Sequence, residues 1–236
     1  QSRGMLDLIQ ERITQLGGFV GVRGKCSEEK LRQAGYTVFE ALGCPSLFIN
    51  MQPGLGARIE SKWKTLPARS RDPSFKVGIV MPERYNRAVV HFLVRFWVQY
   101  PGTVHIVQGV EYFARACKEL GVPVPKRTKA TYYDAVHWQQ DLRGFDLVVA
   151  ARIHGSMIAV AAETPVVTIP MDMRIKEMCD MMHLLYVLPS NPLLDLKHNT
   201  IEESLTGLAQ RFDGAAFDTQ RSVLAARYKE LFGKVG

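Results

Sequence analysis

The 236-residue chain is 47% hydrophobic and 22% charged, enough apolar mass for a packed core and too ordinary a balance for a disordered chain. No apolar run reaches the 18 or so residues that a membrane-spanning helix needs. A formal net charge of +7 and a pI of about 9.3 favour anionic partners, and no C-x-x-C pair signals a zinc site or a disulfide framework.

The first residues lack a charged start followed by an apolar core, so no leader is expected there, and the missing initial Met predicts a natural chain that begins earlier. A strand is predicted at 19–22, a helix at 28–34 and a strand at 46–49. Three elements are too few for a complete sheet domain, so residues 1–73 are expected to be a partial N-terminal domain with a linker. The Gly-, Pro- and basic-rich stretch 52–73 is taken as that linker. Its basic residues Arg58, Lys62, Lys64, Arg69 and Arg71 interleave with one aromatic, Trp63, which predicts a solvated loop and no nucleic-acid groove. Cys26, Cys44, Cys117 and Cys179 are expected to be reduced thiols in a cytosol-like compartment.

From Ser74 onward the pattern is regular. It predicts a β-rich run at 75–81, a helix at 86–99, a strand at 103–107 ended by Gln108-Gly109, and a helix from Glu111 to Leu120 closed by Gly121. A helix at 132–142, a strand at 146–150, a helix at 154–163 and a strand at 165–169 follow. Helices at 173–182, 201–212 and 219–232 complete the chain. Strands alternating with longer helices imply a parallel sheet covered on both faces, and the unbroken apolar run Leu147-Val148-Val149-Ala150 suits a central strand. Residues 74–236 are therefore expected to form one α/β, Rossmann-like, doubly wound domain. Ligands of such domains bind beyond the carboxyl ends of the strands.

The sharpest local signal sits at such an end. The strand 146–150 runs into Arg152-Ile153-His154-Gly155-Ser156, where a helix begins. A helix start offers unpaired N–H groups and a partial positive charge. Arg152 adds a forked cation for carboxylate or phosphate, and His154 can carry a proton near neutrality. An anion clamp beside an acid–base group is what transfer from a phosphorylated donor requires. Arg152 and His154 are the candidate catalytic residues, with Ile153 and Gly155 in the same turn as binding residues. Arg174, in the loop after the next strand, is expected to face the same pocket, with Asp172 capping its helix. A third cluster, Arg23-Gly24-Lys25-Cys26-Ser27, follows the first strand; Arg23 is a candidate anion contact and Ser27 a candidate helix cap and substrate contact. Glu83, Arg84 and Asn86 follow the strand at 75–81 and are weaker candidates. His137 beside Trp138 has the composition to stack on a ligand, but a partly buried amphipathic helix is the expected reading. The methionines at 171, 173, 178, 181 and 182 are read as core filler. No dinucleotide fingerprint, P-loop or metal-ligand spacing is present.

Taken in order, these clusters resemble the polysaccharide pyruvyl transferase family. Val22-Arg23-Gly24-Lys25-Cys26-Ser27 looks like its V-R-D-x-x-S turn, with Gly24 where the motif has its acid. Gly43-Cys44-Pro45 looks like its D-P segment, with Cys44 in place of Asp. Arg152-Ile153-His154-Gly155 looks like its R-L-H-[AG] motif, and the stretch from Ala161 to Asp172, with Pro165 and Arg174, looks like its A-x-x-x-x-P-V-V…D-x-K. The resemblance implies a domain similar to the C-terminal half of a two-domain, GT-B-like glycosyltransferase. It implies transfer of the enolpyruvyl unit of phosphoenolpyruvate to sugar hydroxyls as a ketal, with no metal and no cofactor beyond that donor. In that picture Arg23 and Arg152 hold phosphate and carboxylate, His154 is the general acid, and Arg174 supplies a further cation where the family has Lys. The acceptor would be a saccharide of exopolysaccharide or cell-wall biosynthesis, free or lipid-linked. The location would be the cytoplasm, with room for contact with the inner, anionic face of the membrane and for a homo-oligomer. Two other readings stand beside it. One is a nucleotide-sugar glycosyltransferase with Arg152 and Arg174 on a diphosphate. The other is a non-catalytic binding protein, since family members carry a longer segment before the Val22-Arg23 turn.

Overall fold

A computed structural model describes residues 2–107, 113–122, 129–195 and 197–233. The chain opens with α1 (Ser2–Gln15), β1 (Val20–Val22), α2 (Lys25–Gln33) and β2 (Phe39–Ala41), followed by a 3-10 turn at Pro45–Phe48 and α3 (Leu55–Arg69). The regular part then runs β3 (Val77–Val80), α4 (Arg87–Gln99), β4 (Val104–Ile106), α5 (Phe113–Leu120), β5 (Lys129–Ala130), α6 (Ala135–Leu142), β6 (Leu147–Ala150), α7 (Ile153–Ala161), β7 (Val166–Thr168) and α8 (Met173–Met182). A second 3-10 turn at Pro192–Leu194, α9 (Ile201–Ala209) and α10 (Gly214–Gly233) complete it. The expected strand end at Gln108-Gly109 and helix start at Glu111 lie outside the described residues.

The main sheet has strand order β5-β4-β3-β6-β7 and every pairing in it is parallel. This is the Rossmann-like, doubly wound order, and its direction reverses between β3 and β6. Val77, Ile79 and Val80 on β3 and all of β6 are fully buried, which the continuous apolar run of β6 required. A separate parallel pair, β1 with β2, carries Arg23 just past the end of β1.

Four sequence expectations fail here. Residues 52–73 are not a linker: α3 occupies most of them and packs against α9 and α10. Leu55, Ile59, Trp63 and Leu66 recur at helical spacing and are buried, and Pro67, in the last turn, gives up one N–H bond of the helix. The basic residues are not solvated free ends either. Arg58 pairs with Glu163 at 2.9 Å, Lys64 with Glu60 at 2.7 Å and Arg69 with Asp146 at 3.1 Å; Arg71 pairs with Glu202 and Lys62 donates to the Glu163 carbonyl. The predicted strand at 46–49 is a 3-10 turn opened by Pro45, and the strand that pairs with β1 is β2, whose Phe39 and Ala41 face inward. Ser27 caps nothing: the N-cap of α2 is Gly24, and Ser27 lies inside the first turn.

The α3–α10 crossing depends on two glycines. A Cβ on Gly56 would fall on the carbonyl oxygen of Gly214, and a Cβ on Gly214 would fall on that of Gly56. The helix starts cap each other: Asp218 of α10 accepts from the N–H groups of Gly56 and Ala57, and Glu60 of α3 accepts from that of Gly214. Backbone, unlike a flexible side chain, cannot yield locally. Gly214→Ala should therefore lower unfolding free energy by about 2–3 kcal/mol in a denaturant titration. A change near zero would show that the two helices can separate without cost.

Candidate functional site

Residue chemistry converges beyond the carboxyl end of the sheet. Ala151 donates to the Val80 carbonyl at 2.9 Å and Ile169 to the Ala150 carbonyl at 2.8 Å, so the exits of β3, β6 and β7 are held side by side. Arg152 occupies the N-cap position of α7 with extended backbone (φ −136°, ψ 136°), and among the described residues no side chain caps the helix. The first N–H groups of α7 therefore lack an intramolecular side-chain acceptor. Arg152 Nε donates to the Met81 carbonyl at 3.2 Å, which bridges the exits of β6 and β3 and fixes the guanidinium across the point where the strand order reverses.

The start of α7 is pressed onto β3. A Cβ on Gly155 would come within 2.7 Å of Val80 Cγ2, so only glycine allows this approach. Ser156, fully buried, accepts from Thr168 Oγ1 at 2.8 Å and ties α7 to β7. Every residue of α7 is buried except His154. A helix sunk into the core on all sides but one presents its single exposed side chain at the strand ends.

A cavity of about 510 Å3 opens there, within the size range of small-metabolite sites. Arg23, Arg84, Arg152 and Arg174 line it together with His154, and Glu83 and Asp172 are the carboxylates in its wall. Four guanidinium groups against two carboxylates leave an excess of positive charge suited to a multiply charged anion. Asp172 is partly engaged: one oxygen caps α8 through the Ile175 N–H at 2.8 Å and the other accepts from Arg174 at 3.1 Å. A larger depression of about 720 Å3 lies against α1, α2 and α10, but its arginines are matched, Arg32 with Glu28 and Arg227 with Glu40.

The structure thus brings Arg23, Arg152, Ile153, His154 and Arg174 to one cavity, with Glu83 and Arg84 beside them. Ser27 and Gly155 are not in its lining. Ser27 donates to Glu177 Oε2 at 3.3 Å, and Gly155 lies under α7 against Val80. Asn86 caps α4 by accepting from the Val89 N–H. Glu177, which reaches from α8 to Gly24, belongs to no motif and was not among the expected site residues. A Cβ on Gly24 would lie 2.6 Å from the Glu177 Cβ, so a side chain from α8 packs directly against the turn that carries Arg23.

Among the described residues no group of three or more His, Cys, Asp or Glu side chains is placed to hold a metal ion. Among the same residues no helix is long and apolar enough to cross a membrane. The sequence model of the polysaccharide pyruvyl transferase family matches residues 3–172, a span that includes Arg23, Arg152 and His154 and stops before Arg174. No curated protein and no solved structure matches the chain.

Proposed function

The chain belongs to the polysaccharide pyruvyl transferase family, and on that footing we propose that it takes phosphoenolpyruvate as donor and builds a pyruvate ketal on a saccharide. The observation that carries the proposal is the cavity at the strand-order reversal, where four arginines and one histidine meet the uncapped start of α7. Phosphoenolpyruvate is small and carries both a carboxylate and a phosphate, and forked guanidinium groups match both.

The chemistry follows from these groups. Arg152 and Arg23 hold carboxylate and phosphate, with residues 74–236 as the donor-binding unit and Arg23 reaching it from the preceding segment. His154, as imidazolium, gives a proton to the methylene carbon of the enol, which becomes the methyl group. A sugar hydroxyl adds to the cationic carbon at C2 and loses its proton, forming a phosphorylated tetrahedral intermediate. Departure of phosphate, stabilised by the arginines, lets a second hydroxyl of the same sugar add and close the ketal. One diol and one phosphoenolpyruvate give one ketal and one inorganic phosphate.

Ligand-induced stabilisation tests the donor. At a hundredfold excess over its Kd, phosphoenolpyruvate should add about 2.7 kcal/mol of stability and raise Tm by several degrees. Sugar nucleotides at the same concentration should leave Tm unchanged. Stabilisation by a sugar nucleotide and none by phosphoenolpyruvate would instead make the arginines a diphosphate clamp.

A further inference from the structure

The cavity that holds the arginines is not the only one that His154 borders. A second, of about 300 Å3, also has His154 in its lining, together with Tyr132, Tyr133, Trp138, Ser46, Met157 and Ile158 and the α6 cap Asp134. Resting on the donor reading above, we propose that this second cavity is the acceptor subsite and takes the apolar face of a pyranose.

Its lining differs in kind from that of the first. Among the described residues no arginine or lysine borders it, in contrast to the four arginines of the first. The Tyr132 and Trp138 rings stack with centroids 5.5 Å apart and planes within 6° of parallel, making a flat, rigid wall. Burial, with a hydrogen bond to Asp141, pushes the Tyr132 phenol up to about 12, so the wall stays uncharged across the working pH range. Tyr133, next in the chain, is 98% exposed, the largest exposure of any bulky apolar or aromatic side chain described. An exposed ring beside a stacked pair suits a ligand with an apolar face and a hydroxylated rim, because C–H groups pack on the rings while the hydroxyls stay in water. Asp134 already accepts from the Val136 and His137 N–H groups, which holds its carboxyl below the usual range; as an anion it can still accept a sugar hydroxyl at the rim. Placement completes the case. Since His154 borders both cavities, a pyranose seated here lies next to a donor in the arginine cavity.

Trp138 makes the idea measurable. Trp63 and Trp97 are buried, so a surface-bound sugar can perturb directly the emission of Trp138 alone among the three tryptophans. The full chain should be titrated with methyl β-galactoside, methyl β-mannoside and methyl N-acetyl-β-mannosaminide without donor. At least one should change the emission saturably, and Tyr133→Ala should weaken that glycoside about five- to tenfold, the worth of one aromatic contact. The rise in Tm with phosphoenolpyruvate should be the same in Tyr133→Ala as in the parent. No response to any glycoside, with phosphoenolpyruvate still stabilising the protein, overturns the subsite and leaves the donor reading intact. Equal glycoside affinity in Tyr133→Ala overturns it as well, as does a response to UDP-galactose without one to the methyl glycosides. Glycoside binding lost in Tyr133→Ala, with no effect of phosphoenolpyruvate, supports the aromatic subsite and removes the donor.

Discussion

His154→Ala is expected to lower turnover by about 10²–10⁴-fold, the usual contribution of a positioned acid–base group. The stabilisation by phosphoenolpyruvate should survive almost unchanged. Both halves follow from the position of the side chain. It is the one exposed residue on an otherwise buried helix, so its removal leaves no cavity in the core and no unpaired buried group. The charge proposed to bind the donor resides on the four arginines of the same cavity, and these are untouched. Phosphate release from phosphoenolpyruvate with a saccharide acceptor measures the first half, and the shift in Tm measures the second. A variant that turns over at the parental rate would remove the imidazole from the mechanism altogether.

Arg152→Ala is expected to act on binding. A forked, charge-assisted contact is worth about 2–3 kcal/mol, so the Kd for phosphoenolpyruvate should rise roughly 30- to 150-fold and most of its stabilising effect should disappear. Arg152→Lys separates charge from geometry. Lysine keeps the charge but loses the fork, and with it the Nε contact that anchors the guanidinium to the Met81 carbonyl. Its affinity should therefore lie between those of the parent and Arg152→Ala. If Arg152→Lys binds phosphoenolpyruvate as well as the parent, the arginine supplies only charge and the bridge between the β3 and β6 exits is immaterial. If Arg152→Ala binds equally well, Arg23, Arg84 and Arg174 hold the anion without it.

The two variants are expected to separate because the proposed roles fall on two different side chains of one corner of the fold. The β6 exit and the uncapped start of α7 form one rigid corner, held by Gly155 against Val80 and by Ser156 against Thr168. Arg152 points from that corner toward the neighbouring strand exit, and His154, two residues on, lines both the arginine cavity and the aromatic one. A defect in the corner itself would disturb both roles together, so the contrast between the single variants also tests whether the corner stays rigid.

Much of this was legible in the sequence alone, for a local reason. Central parallel strands must be apolar on both faces, so Leu147 to Ala150 announced β6, and the helix that follows could only begin at the Arg-Ile-His-Gly turn. The order of strands and helices from β3 to β7 then implied the sheet, and the sheet implied which loops share an edge. The N-terminal third was less readable. The strand β2 is three residues long and α3 carries Gly, Pro and many cations, so neither stands out until its partners are known. Trp63 and Leu66 declare α3 a packed helix only because α9 and α10, more than a hundred residues on, cover them. Other facts were out of reach of any reading along the chain. These are the Arg152–Met81 bridge, the arrival of Glu177 beside Gly24, the exclusion of Ser27 from the cavity, and the two cavities meeting at His154. Each joins segments distant in sequence, and hydrophobic periodicity and motif spacing describe only neighbours. Residue types and their order decided which chemistry was present; packing alone decided which of those residues share a cavity.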